Sequence, residues 1–76
     1  MRIEYDPVAN AAYIYLVHIP PGGVAKTYPC DPNDVASGIF LDFDASQRLI
    51  GIDVQAARST LPEEALTQAE IMKDQE

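Results

Sequence analysis

The side chains whose types and spacing come nearest to chemistry are the carboxylates of Asp42, Asp44 and Asp53. Asp42 and Asp44 stand two apart in a stretch of alternating polarity, so on a strand they share one face, and Asp53 can reach them from across a hairpin. Gathered carboxylates hold hard cations such as Mg²⁺ or Ca²⁺. A simpler account competes with this one. Aspartates on the solvent face of a half-buried hairpin need no ligand, Asp44 suits the start of a turn, and Arg48 can pair with one of them for little net energy. The reading therefore assigns no metal and no cofactor, and keeps Asp42, Asp44 and Asp53 as the metal candidates.

His18 and Cys30 could be cast as base and nucleophile, but a pair without an orienting group or an oxyanion loop specifies no reaction. His18 reads instead as a strand-end residue before Pro20, and Cys30 as a small semi-buried side chain beside Pro29. Gly22-Gly23 follows two prolines with no Lys-Ser/Thr and no helix behind it, so it is a turn and not a phosphate loop. No catalytic residue is expected. Tyr13 and Tyr15 project from one side of an aromatic and aliphatic strand; they either pack beneath a C-terminal helix or form an interface, and they are the interface candidates.

The elements that must position these residues are legible from the pattern. Arg2-Ile3-Glu4-Tyr5 alternates and stops at Asp6-Pro7, a strand followed by a turn. Ala11 to His18 carries Ala12, Ile14 and Leu16 on one face and Tyr13, Tyr15 and Val17 on the other, which favours a strand covered on both sides. Val24 to Cys30 is a weaker strand, and Pro29 places it at a sheet edge. Asp31-Pro32-Asn33-Asp34 is a turn cluster. Ile39 to Asp44 alternates cleanly, with Ile39, Leu41 and Phe43 inward and the aspartates outward, and Leu49 to Ala56 returns as the second arm of a hairpin. From Leu61 the period becomes helical, with Ala65, Ala69 and Met72 recurring, Thr60 as N-cap and Glu63 completing a capping box. The expected fold is α+β: one domain over residues 1–76, an antiparallel meander of four to five strands with one C-terminal helix across it. An all-β curled sheet is the alternative.

Bulk properties bound the function. A chain of 76 residues buries only roughly 60% of its unfolded surface, so its core is thin and self-association is natural. Twelve acidic residues against five basic ones give a net charge of -7, which repels phosphate backbones and anionic headgroups, so neither nucleic acid nor membrane is an expected partner. The run from Ala11 to Val17 falls far short of the roughly 20 residues of a membrane span. A single cysteine and an opening Met-Arg-Ile-Glu-Tyr-Asp without an apolar leader lead us to expect a cytoplasmic protein.

Tyr5-Asp6-Pro7, Asn10-Ala11-Ala12-Tyr13-Ile14-Tyr15-Leu16, Leu41-Asp42-Phe43-Asp44 and Leu49-Ile50-Gly51-Ile52-Asp53-Val54 together resemble a short bacterial domain-of-unknown-function family, over roughly residues 3 to 58. The resemblance implies small stand-alone proteins, some paired with toxin-like partners, and hence an antitoxin-like or partner-binding role. The chain departs from the family pattern in carrying Asn10 in place of Asp, Gln47 in place of a turn Gly, Asp53 in place of Glu and Ala57 in place of Ser. Asn10 can still accept a hydrogen bond but cannot take a proton, and Gln47 implies a different turn type. The leading expectation is a non-enzymatic interaction module, the acidic partner of a small basic protein. The rivals are a metal binder or metal-dependent enzyme using the three aspartates, and a structural homodimer.

Overall fold

A computed structural model describes residues 1–35 and 38–71. Its strands are β1 (Arg2–Asp6), β2 (Ala11–Tyr15), β3 (Lys26–Pro29), β4 (Ile39–Phe43), β5 (Leu49–Gln55) and β6 (Glu70–Ile71), with two short helices, α1 (Ala57–Thr60) and α2 (Glu63–Thr67), before the last strand. They form one open sheet in the order β3-β4-β5-β2-β1-β6, antiparallel except where β6 lies parallel to β1. The class is α+β, and the sheet is not a meander. The β1–β2 hairpin and the β3-β4-β5 unit are joined through β2 and β5, because the 16–25 connection carries the chain past β5 and β4 before β3 begins.

Register assigns every side chain to a face. Ile3, Ile14, Ile52, Leu41 and Tyr28 lie opposite one another across five strands, and so do Tyr5, Ala12, Val54 and Ile39. This apolar face carries the core: Tyr5, Ala12, Val54 and Ala57 are buried together, with Leu61, Leu66 and Ala69 packed against them from the helical segment. Ala57 is fully buried there, which suits its methyl group. The expected placement of helical residues across one sheet face holds.

The expected continuous helix does not. Leu61 precedes Pro62, and the pyrrolidine ring pushes it out of the helical region to φ -99°, ψ 146°, so the segment divides into two short helices. Pro62 occupies the N-cap position of α2, no side chain caps that helix, and the Thr60 hydroxyl turns back to the carbonyl of Gln55 at 3.4 Å. The capping box is therefore absent, and Glu70 and Ile71 pair with β1 where helix was expected to continue. Met72 and the tail lie outside the described residues.

Turn chemistry explains the motif residues at the chain's start. Asp6 accepts the amides of Val8 and Ala9 at 3.0 and 3.2 Å, closing the turn around Pro7. Asn10 adopts φ 55°, its carbonyl accepts the Ala57 amide at 2.9 Å, and its Oδ1 accepts the Arg58 amide at 2.9 Å. Arg58 answers by donating to the Tyr5 hydroxyl at 3.0 Å and to the Pro7 carbonyl at 3.3 Å. The Tyr5-Asp6-Pro7 and Asn10 segment is thus a clamp that fixes α1 on the first hairpin.

The β4–β5 connection corrects another expectation. The Gln47 amide bonds the Asp44 carbonyl at 2.9 Å, the Asp44 amide bonds the Arg48 carbonyl at 2.9 Å, and Gln47 stands at φ 67°. That is a type I turn followed by a left-handed residue, the arrangement a glycine serves best. The turn type is that of a glycine turn, and Gln47 is simply strained within it.

Pro29 does lie on an edge strand. The Cys30 amide donates inward to Ile39, so by antiparallel alternation the position of Pro29 faces away from β4, where its missing N–H leaves no ladder bond unmade.

Candidate functional site

The second face of the sheet is built from polar groups. Arg2, Tyr15, Gly51, Asp42 and Thr27 lie opposite one another across β1, β2, β5, β4 and β3, and Glu4, Tyr13, Asp53 and Phe40 form the adjacent row. Tyr13 and Tyr15 therefore turn away from the helices and take no part in the core beneath them.

Gly51 allows this face to organise. A Cβ at that position would stand 2.6 Å from Tyr13 Cζ and 2.7 Å from its Cε2, so the tyrosine ring lies over the bare glycine backbone of β5. By crossing the strand, Tyr13 brings its hydroxyl to Asp42 Oδ2 on β4 at 2.5 Å. Thr27, on β3, donates its hydroxyl to Asp42 Oδ1 at 2.6 Å. One aspartate is thus held by hydroxyls from strands on either side of it. Asp42 is only 8% exposed, which overturns the expectation that its carboxylate points into solvent.

A second cluster adjoins the first. The Tyr15 hydroxyl donates to Glu4 Oε1 at 3.0 Å, the Arg2 guanidinium stands 4.1 Å from the Tyr15 ring centroid, and Arg2 lies 3.7 Å from Glu4 Oε2. The rings of Tyr13 and Tyr15 meet edge to face with centroids 4.7 Å apart. Burial holds the Tyr13 phenol well above the ordinary tyrosine range, reinforced by its hydrogen bond to the Asp42 carboxylate and that group's charge. Tyr15 is raised in the same sense, by burial first and then by its bond to Glu4. Both tyrosines are therefore fixed as protonated donors.

The three metal candidates are divided among separate tasks. Asp42 is held by Tyr13 and Thr27. Asp44 is used by its turn, where Oδ1 accepts the amides of Ser46 and Arg48 at 2.9 and 3.0 Å and Oδ2 pairs with the Arg48 guanidinium at 3.1 Å. The Arg48 amide is the main influence lowering the Asp44 carboxyl below its usual range. Asp53 shares the face of Asp42 but accepts from the Gln55 side-chain Nε2 at 2.8 Å. Among the described residues no three His, Cys, Asp or Glu side chains come together as a metal site.

His18 lines a hollow with Met1, Arg2, Tyr15 and Val17, while Cys30 follows β3, which β4 and β5 separate from β2. Sequence reasoning missed Thr27 and Gly51. For Gly51 a signal existed, since a glycine inside an apolar strand between Ile50 and Ile52 marks close approach by another group.

A hollow of about 320 Å³ opens on this face, lined by Tyr13, Tyr15, Ile19, Val24 and Asp42. Its outer rim comes from the 16–25 connection, which is shaped by a type II turn: Gly22 takes φ 77° and the Gly23 amide bonds the Pro20 carbonyl at 2.9 Å. A family described as "Protein of unknown function (DUF2283)" has a model that matches residues 2–58. The chain belongs to this family. The matched stretch runs from β1 through β5 and ends at Arg58, so it contains the whole tyrosine and carboxylate face and closes on the residue that clamps α1 to the first hairpin. Neither a curated protein nor a solved structure matches the chain. Among the described residues no helix is long and apolar enough to cross a membrane.

Proposed function

We propose that this protein is a non-enzymatic, cytoplasmic interaction module that binds a small basic protein, as a neutralising, antitoxin-like partner would. The observation that carries the reading is the division of the sheet. One face holds the core, and the other presents ordered tyrosines with Glu4, Asp42 and Asp53 on a chain of net charge -7. Rigid tyrosines give contact area at low entropic cost, and a surplus of carboxylates steers a basic partner toward them. The two tyrosines are donors and not bases at neutral pH, and Asp44 serves its turn, so this face favours recognition over proton transfer.

The test is capture on the tagged protein from an extract of its source, at low and at moderate salt, with mass spectrometry of what is retained. Retention of a small basic protein that is released as salt rises is the expected result. Nothing retained at either salt overturns the reading.

A homodimer is the second reading, favoured by one observation. Tyr28 and Phe43 line a hollow of about 360 Å³ with Lys26, Asp44 and Gln47, at the end of the sheet remote from the helix-packed core. Light scattering at increasing protein concentration decides it.

A further inference from the structure

Resting on the basic-partner reading, we propose that the hollow between Tyr13, Tyr15, Ile19 and Val24, with Asp42 at its base, is a binding site for an arginine side chain of the partner polypeptide.

Three observations converge on a guanidinium. The chain already seats one on this same row of tyrosines, because Arg2 lies over Tyr15 and pairs with Glu4. That contact leaves the Tyr13 side of the hollow free for a second cation. Asp42 meets only neutral hydroxyls, and among the described residues it has no ion pair, although a carboxylate this deeply buried ordinarily faces a cation. Each of its oxygens accepts one hydrogen bond and keeps a further lone pair for an incoming donor. Tyrosine faces and edges, the apolar side chains of Ile19 and Val24 along the wall, and a carboxylate at the base match the flat, weakly hydrated guanidinium and its apolar stem. A divalent ion fits less well, since no third carboxylate completes a coordination shell among the described residues.

The experiment titrates the whole protein at low salt with a short peptide rich in arginine and with the same peptide carrying citrulline in place of arginine, following the ring resonances of Tyr13 and Tyr15 by NMR. Arginine peptide is expected to move both sets of resonances, and the citrulline peptide to bind at least about tenfold more weakly. Asp42→Asn removes the charge at the base. Val24→Arg fills the site from its rim without touching the hydroxyl network. Each is expected to weaken the arginine peptide about tenfold, while Val8→Arg, which adds the same charge on the exposed first turn, leaves affinity within about twofold. Val24→Arg decides the matter alone if Asp42→Asn fails to fold. Equal binding by the wild type and Val24→Arg overturns the arginine site and leaves the basic-partner reading standing. No binding of the arginine peptide to the wild type overturns both.

Discussion

The two faces of this sheet are held by different physics. On one, Tyr5, Ala12, Val54 and Ala57 exclude water beneath the helical segment, and non-directional burial does the work. On the other, Tyr13, Thr27 and Asp42 are joined by directed hydrogen bonds that span β2 to β3, and among the described residues no buried side-chain polar atom is left without a partner. The first face tolerates small changes of shape in proportion to the volume lost. The second depends on one backbone position having no side chain, so it fails abruptly when that vacancy is filled.

Gly51→Ala breaks the comparison most directly. The new methyl displaces the Tyr13 ring and with it the bond to Asp42, and a loss of about 3 kcal/mol is expected from overpacking and a lost charged hydrogen bond. Val54→Ala removes two methyl groups from the apolar face, and about 2 kcal/mol is expected. Urea denaturation of the two variants orders the faces. A smaller loss for Gly51→Ala than for Val54→Ala would mean that the polar face decorates a fold held entirely by the other.

Tyr13→Phe sharpens the contrast by removing one hydroxyl without altering packing, at a cost of about 1 kcal/mol at neutral pH. Its pH signature is more specific. The folded phenol keeps its proton after the unfolded chain, ionising near pH 10.0, has lost it. The contribution of Tyr13 is therefore complete below that pH and is lost as pH rises toward the higher folded value. Wild-type stability should decline above pH 10 more steeply than that of Tyr13→Phe, measured by chemical denaturation across the alkaline range; parallel curves would show that the phenol titrates alike in both states.

The smallest expected effect lies outside both faces. Gln47→Gly relieves a left-handed backbone at the hairpin turn and should stabilise by roughly 0.5 kcal/mol, the steric gain being partly offset by greater freedom in the unfolded chain. A rise in melting temperature checks it, and a fall would show that the Gln47 side chain contributes something its backbone conceals.

How much of this the sequence discloses follows the distance over which each feature is decided. The alternation of Ile39 to Asp44, the turn at Asp6-Pro7, the break at Gly22-Gly23 and the edge position of Pro29 are local, and all are legible. The placement of β5 beside β2 is not local, and neither is the burial of Asp42, whose partner Tyr13 stands 29 residues away. An aspartate in an alternating strand reads as solvent-facing until the strand that covers it is known. Pro62 carries the information that the helix divides, through the restriction it places on Leu61, but the acidic and apolar residues around it follow a pattern that a continuous helix satisfies equally well. Tyr13 and Tyr15 share one face, as their alternation predicts, while the identity of that face depends on where the helices pack.

The reach of Tyr13 across β5 also bears on the order in which the molecule assembles. The β4–β5 hairpin closes through a short local turn, whereas β2 meets β5 only after a long intervening loop has been closed. A bond from β2 over β5 to Asp42 can form only when both events are complete, so we expect it to close late in folding, as a latch and not as part of the nucleus. Interactions made after the transition state govern how fast a protein comes apart. Removing the Tyr13 hydroxyl should therefore hasten unfolding in stopped-flow measurements and leave refolding almost unchanged, whereas a slowed refolding limb would place the latch among the first contacts made.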